Sequence, residues 1–220
     1  MSKPSRIDHR VRALELAHIC ATLGARIRTI HHLTGLRPRE LLHLLFADKE
    51  PPRGRAPDTR EWYHRANLFD QTEASLVAAN FHRLRLMGFA APEALISAYR
   101  YYQSVYQPPY RISFDRAFDL AANTDGRWIA RSASFQVLRC PRCGSEYLDA
   151  IGAEVAMDRS CPFCRLIDRN GRHPRLATSF PGTPPAYPQD VLVWMQLIEA
   201  PPGADAEIPP TSFEFPAAKT

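Results

Sequence analysis

The sequence predicts a mainly α protein: a multi-helix domain containing a helix-turn-helix-like hairpin, followed by a small four-cysteine segment of the zinc-ribbon type. Three observations carry this. Apolar residues recur at helical spacing from Ile7 to Ala122. Two C-x-x-C pairs, Cys140/Cys143 and Cys161/Cys164, follow that stretch. Proline then crowds the chain beyond Arg175 and ends the periodic pattern. The resulting organisation is a helical domain over 1–126, a zinc-binding segment over 127–175 and a proline-rich, largely flexible tail over 176–220.

Ile7, Val11, Leu14, Leu16, Ile19, Leu23, Ile27, Ile30 and Leu33 read as one long helix ending near Thr34-Gly35. Pro38, well placed in a first helical turn, opens a second helix through Leu41, Leu42, Leu44, Leu45 and Phe46. The prolines between Glu50 and Thr59 require a loop. A third helix is expected over Trp62–Met87, with Leu68, Leu76, Val77, Phe81, Leu84 and Leu86 facing the core and Gly88 as the stop. Pro92 to Tyr106 forms the next, broken by Pro108-Pro109, and its aromatics from Tyr99 to Tyr106 suit either a core or a partner surface. A shorter helix covers Phe114 to Ala122, with Ser113 as its N-cap.

From Arg127 the composition shifts to β-branched and aromatic residues leading into the first cysteine pair. SEYLDAIG, between the pairs, is the right length for a short hairpin. In the tail only Asp190 to Glu199 has a helical pattern.

The net charge is +5, unevenly spread. Beyond residue 175 five acidic residues face a single lysine, so the tail carries −4 and residues 1–175 carry +9. A body of that charge favours an anionic partner, although scattered arginines that only solvate the surface give the same sum. No apolar run approaches the ~20 residues of a membrane helix. Glu15 and His18 interrupt the apolar stretch near the start, which therefore reads as an amphipathic helix rather than a signal peptide and predicts a cytoplasmic protein.

Cys140-Pro-Arg-Cys143-Gly and Cys161-Pro-Phe-Cys164 carry the strongest chemical signal. A C-x-x-C turn directs both sulfurs at one metal, and two facing turns supply a tetrahedron of thiolates. Four thiolates leave no open coordination position, so the ion, one Zn²⁺, is structural rather than catalytic. A reducing compartment disfavours disulfides, and a redox dithiol leaves the second pair unexplained. Cys20, alone on an apolar helix face, reads as a core residue.

Ala25 to Leu45 has the outline of a helix-turn-helix, with Gly35 in the turn, Leu36 after it and Leu41 and Leu44 facing inward. Its second helix presents Arg37, Arg39, Glu40 and His43 outward, residue types suited to phosphates and base edges. His31 stands four residues before the glycine, where a small residue usually lets the helices approach. An ordinary helical hairpin with a charged face fits the same residues. Asp115 and Asp119, one helical turn apart, read as solvated charges on an exposed face. No phosphate-cradling glycine loop, serine elbow or H-E-x-x-H occurs, so nothing reads as an active site.

Taken together, several segments resemble the FlhC family of flagellar transcriptional activator subunits. They are LGARI (Leu23 to Ile27), TGLRPRELLHLL (Thr34 to Leu45), PPRG (Pro51 to Gly54), Thr59, Trp62-Tyr63, Ala98-Tyr99-Arg100, Arg116 to Phe118 and both cysteine pairs, in that order. The similarity spans about residues 7 to 166. It implies a mostly helical zinc protein that joins a FlhD-like partner in a hetero-oligomer, binds promoter DNA and helps recruit RNA polymerase. Zinc ligation then falls on Cys140, Cys143, Cys161 and Cys164. DNA contacts do not follow from the resemblance; Arg37, Arg39, His43 and Arg142 are candidates on charge alone. The alternative is a zinc-stabilised interaction subunit whose partner contacts DNA. Members of the family end soon after the zinc segment, often with basic residues, and the acidic tail departs from that pattern.

Overall fold

The computed structural model describes residues 5–47, 50–52, 54, 59–152 and 161–170. The expected helix over Asp190–Glu199 and the flexible tail lie outside them. Eight helices and one two-stranded sheet are found among the described residues. The protein is mainly α, as its periodicity predicts.

Helix α1 (Arg6–Thr22) opens with a reciprocal cap: the Ser5 hydroxyl accepts from the Asp8 amide, and the Asp8 carboxylate accepts from the Ser5 amide. The single long helix expected from Ile7 to Leu33 is in fact two. Gly24 adopts φ +80°, a conformation that costs glycine little, and the chain restarts as α2 (Ile27–Thr34). Leu23 and Ile27 keep the apolar spacing across the break because both helices face one core, which hides the break from a periodicity argument. Helix α3 (Pro38–Leu45) follows a turn capped by Gly35 in the left-handed region. Leu41 is fully buried there, but Leu44, expected inward, is exposed. Mainly α2, and to a lesser extent α1, cover α3, and that cover is too narrow for both leucines.

Likewise the expected Trp62–Met87 helix is interrupted. Helix α4 (Thr59–Arg65) ends before Asn67, whose side chain accepts from the Asp70 amide and starts α5 (Leu68–Leu86). Leu86, expected in the core, lies at the C-terminal end of α5 and is 76% exposed. Helices α6 (Ala91–Val105) and α7 (Phe114–Asp125) complete the helical body, with Ser113 capping α7 through the Arg116 amide.

Helix α5 is the axis of the core. It packs against α6, α7, α8 (Pro162–Asn170) and the β-hairpin, so it buries residues on nearly every face rather than one stripe. Phe81, Leu95, Tyr102, Phe114, Leu120, Phe135 and Leu148 are fully buried, each worth ~1.5–3 kcal/mol of apolar transfer. Tyr99 and Tyr102 belong to this core, whereas Tyr101 on the opposite helix face is half exposed. Cys20 is buried and apolar in its surroundings, which pushes its thiol up to about 12.

Asp115 and Asp119 are buried, not solvated. Helix α7 packs against α4, α5, α6 and β1, and both carboxylates lie on its covered faces. Asp115 accepts from the Arg26 amide and the Thr29 hydroxyl and pairs with the Arg26 guanidinium at 3.4 Å. It thus satisfies the N-terminus of α2 from a distant helix.

Candidate metal centre

Strands β1 (Phe135–Arg139) and β2 (Glu146–Ala150) pair antiparallel, with Val137 opposite Leu148 and Arg139 opposite Glu146. SEYLDAIG is therefore not a hairpin by itself: it is the return strand of a hairpin whose tip is the first cysteine pair. The tip closes through the Gly144 amide to the Cys140 carbonyl and the Cys140 amide to the Ser145 carbonyl, both 2.9 Å. The sharp reversal puts Cys140 and Cys143 on one side of the turn.

The hairpin is tied to the helical body by backbone groups that its own pairing leaves free. The Leu148 amide donates to Ser75 Oγ at 3.1 Å, and the Leu148 carbonyl accepts from Tyr63 Oη at 2.7 Å. Ser75 is small enough for α5 to pass close to β2, and its hydroxyl caps the strand edge there. Arg83 on α5 pairs with Glu146 at 2.7 Å.

The second cysteine pair lies on a helix, which the sequence reading missed. Cys161 immediately precedes α8 and Cys164 sits in its first turn. The signal was Pro162, placed where a helix starts. The backbone N–H groups of Phe163 and Cys164 point at the Cys161 sulfur, an arrangement that favours a thiolate there. Burial acts in the opposite sense and holds the Cys161 and Cys164 thiols above the usual thiol range. At Cys143, the least buried of the four, burial is outweighed by hydrogen bonds from Ser145 and from neighbouring sulfurs, and the thiol titrates low.

The structure brings the four sulfurs to within 4.8 Å of one another. Cys140 Sγ and Cys164 Sγ are 3.6 Å apart, and Cys143 Sγ and Cys161 Sγ 3.7 Å. A tetrahedron with metal–sulfur bonds of ~2.3 Å has edges of ~3.8 Å. The two short separations match that edge, and no pair of sulfurs lies more than 4.8 Å apart. All five cysteines are free, and these separations far exceed the ~2.05 Å of a disulfide. Tyr147, Leu138 and Phe163 pack around the sulfurs as a small apolar shell separate from the main core.

Arg37, Arg39 and His43 are exposed along α3, at and beyond its N-terminus. Glu40 is turned back to Arg10 at 2.6 Å. His31 is accommodated before the turn because its ring reaches across it: Nδ1 donates to the Leu36 carbonyl at 2.8 Å. Arg142 stands apart from this surface, inside the first cysteine turn, where both its terminal nitrogens donate to Asp168 at 2.7 Å.

A family model described as FlhC, flagellar transcriptional activator, matches residues 1–177. The chain belongs to the FlhC family. No match is found among curated proteins. The FlhC match covers every helix and strand described above and all four cysteines, and it stops where the acidic, proline-rich sequence begins. Among the described residues of this FlhC-family chain, no helix is long and apolar enough to cross a membrane.

Proposed function

We propose that this chain is the DNA-binding subunit of a flagellar transcriptional activator, working in the cytoplasm as a hetero-oligomer with a FlhD-like protein. The complex engages promoter DNA and helps recruit RNA polymerase; the chain itself is not an enzyme. The observation that carries this reading is the FlhC-family match across the whole helical body and the cysteine tetrad. The net positive charge of residues 1–175 and the exposed Arg37, Arg39 and His43 on α3 support a DNA surface there.

In this reading Cys140, Cys143, Cys161 and Cys164 hold one Zn²⁺. Soft thiolates at tetrahedral spacing favour zinc, and a closed shell of four leaves the ion only a cross-linking role. The ion joins the hairpin tip to the start of α8, two pieces that share little core of their own.

A second reading makes the chain a zinc-stabilised interaction subunit, with DNA contacted mainly by the partner. One observation favours it: Arg10, Arg12, Arg26, Arg83, Arg85, Arg111 and Arg142 are all engaged by carboxylates, so much of the positive charge is already neutralised.

Co-expression with a FlhD-like protein, followed by metal analysis and promoter gel shifts over a range of salt, tests the proposal. A zinc-loaded complex that shifts promoter DNA with steeply salt-dependent affinity is expected. A complex that leaves DNA unshifted at low salt overturns it.

A further inference from the structure

The two halves of the tetrad come from separate pieces of chain, the hairpin tip and the start of α8. Arg142 and Asp168 join those pieces outside the sulfurs. Arg142 lies between the two ligands of the first turn. Asp168 lies four residues after Cys164, one helical turn further along α8. Two parallel contacts, Nη1 to Oδ2 and Nη2 to Oδ1, both 2.7 Å, fix the orientation of one piece against the other as well as their distance.

We propose that Arg142 is a positioning residue of the metal centre: its bidentate pair with Asp168 latches the hairpin tip to α8 and slows loss of the ion. The proposal rests on the reading of the tetrad as a metal site. The tip is short and closed by its own backbone hydrogen bonds, so holding residue 142 also holds Cys140 and Cys143. Helix α8 is rigid over one turn, so holding Asp168 holds Cys161 and Cys164. An ion bound by four thiolates leaves only when the halves part, and parting the halves also breaks the latch.

The latch is specific to arginine. A lysine in its place offers a point charge that reaches one oxygen at a time and leaves the halves free to rotate. Both side chains are about half exposed, so the pair contributes little to global stability. Its effect is expected in the release rate, at roughly two- to fivefold.

The experiment uses the full zinc-loaded chain in complex with its FlhD-like partner, mixed with an excess of a chromogenic chelator. Arg142→Ala and Asp168→Asn should release zinc roughly two- to fivefold faster than the parent, with Arg142→Lys in between. The charge reversal Arg142→Asp with Asp168→Arg should recover most of the parent's slow release, and high salt should shrink all the differences. Parent-like rates in both single variants, or a reversal as fast as they are, overturn the proposal; a generally damaged fold is not rescued by the reversal. A parent complex that carries no metal sinks the metal reading itself, whereas a loaded parent with unchanged variants sinks the latch alone.

Discussion

The hydroxyl of Thr29 on α2 donates a 2.6 Å hydrogen bond to Asp115 on α7, and both side chains are buried. The same carboxylate accepts from the Arg26 amide and faces the Arg26 guanidinium. Helix α2 has no cap from its own sequence at Arg26, so Asp115 supplies the acceptor that its first turn lacks. The hairpin that carries Arg37, Arg39 and His43 is thereby referenced to the central helical body.

Asp115→Ala is expected to destabilise the chain by about 2–4 kcal/mol, since it removes the acceptor shared by the buried Thr29 hydroxyl and the Arg26 amide together with the carboxylate that faces the Arg26 guanidinium. Thr29→Val removes one neutral donor and should cost about 1 kcal/mol. Urea unfolding midpoints with unchanged slopes check both. A small loss in Asp115→Ala would mean that the α2 terminus is satisfied in another way.

That contact also marks the limit of what the sequence disclosed. Helical periodicity located α3, α6 and α7, and the cysteine spacing located the four sulfurs that the fold brings together, because local geometry alone fixes those patterns. The breaks at Gly24 and Asn67 were missed because apolar residues on both sides face one core and keep the spacing continuous. Asp115 read as solvated because its partners, Arg26 and Thr29, lie more than 80 residues away. Leu44 and Leu86 read as buried because an apolar side chain does not disclose how far its neighbour's cover extends. The role of Ser75 was invisible for the same reason: it depends on a strand formed some 70 residues later.

His32 provides a pH signature within α2. Burial, followed by the proximity of His31 and Arg28, lowers its pKa below the usual histidine value, and its ring stacks on Phe118. The folded state therefore disfavours the charged ring. Its contribution to stability is complete above the unfolded pKa of ~6.5 and declines as pH falls through that value towards the lower folded one. Melting temperatures at pH 7.5 and 5.5 test this: the drop between them should be smaller in His32→Gln than in the parent. An equal drop in both would assign the pH response to other histidines.

Tyr63 anchors the hairpin through its hydroxyl on the Leu148 carbonyl, and burial pushes its phenol up to about 12. Tyr63→Phe leaves that carbonyl without its donor and should cost about 1–2 kcal/mol. Ser75→Ala does the same to the Leu148 amide. In hydrogen exchange both should loosen residues 135–150 more than α6 or α7. A uniform loss of protection would show instead that the hairpin and helices unfold as one unit.

Metal removal should act locally and depend on acid. Thiolate ligands must shed their protons to bind, so mild acid or a strong chelator releases the ion and weakens the link between the hairpin tip and α8. Cys161→Ser should abolish stoichiometric metal and expose Tyr147 and Phe163, which pack against the tetrad. Limited proteolysis should then cut within residues 140–170 while α5 and α6 stay protected. Full metal retention in Cys161→Ser would remove that cysteine from the ligand set.

The two readings of the exposed α3 surface diverge in salt dependence. Each arginine that neutralises a phosphate adds about one unit to the slope of log K against log salt. Replacing Arg37 and Arg39 by alanine in the complex with a FlhD-like partner should weaken promoter binding and flatten that slope by about two. Neither residue contributes to the core, so melting temperature should hold. Unchanged affinity and slope would move the DNA contacts off this surface, to the partner or to another face of this chain. Reduced affinity with an unchanged slope would instead point to base-edge contacts, and substitutions within the promoter should then show a changed sequence preference.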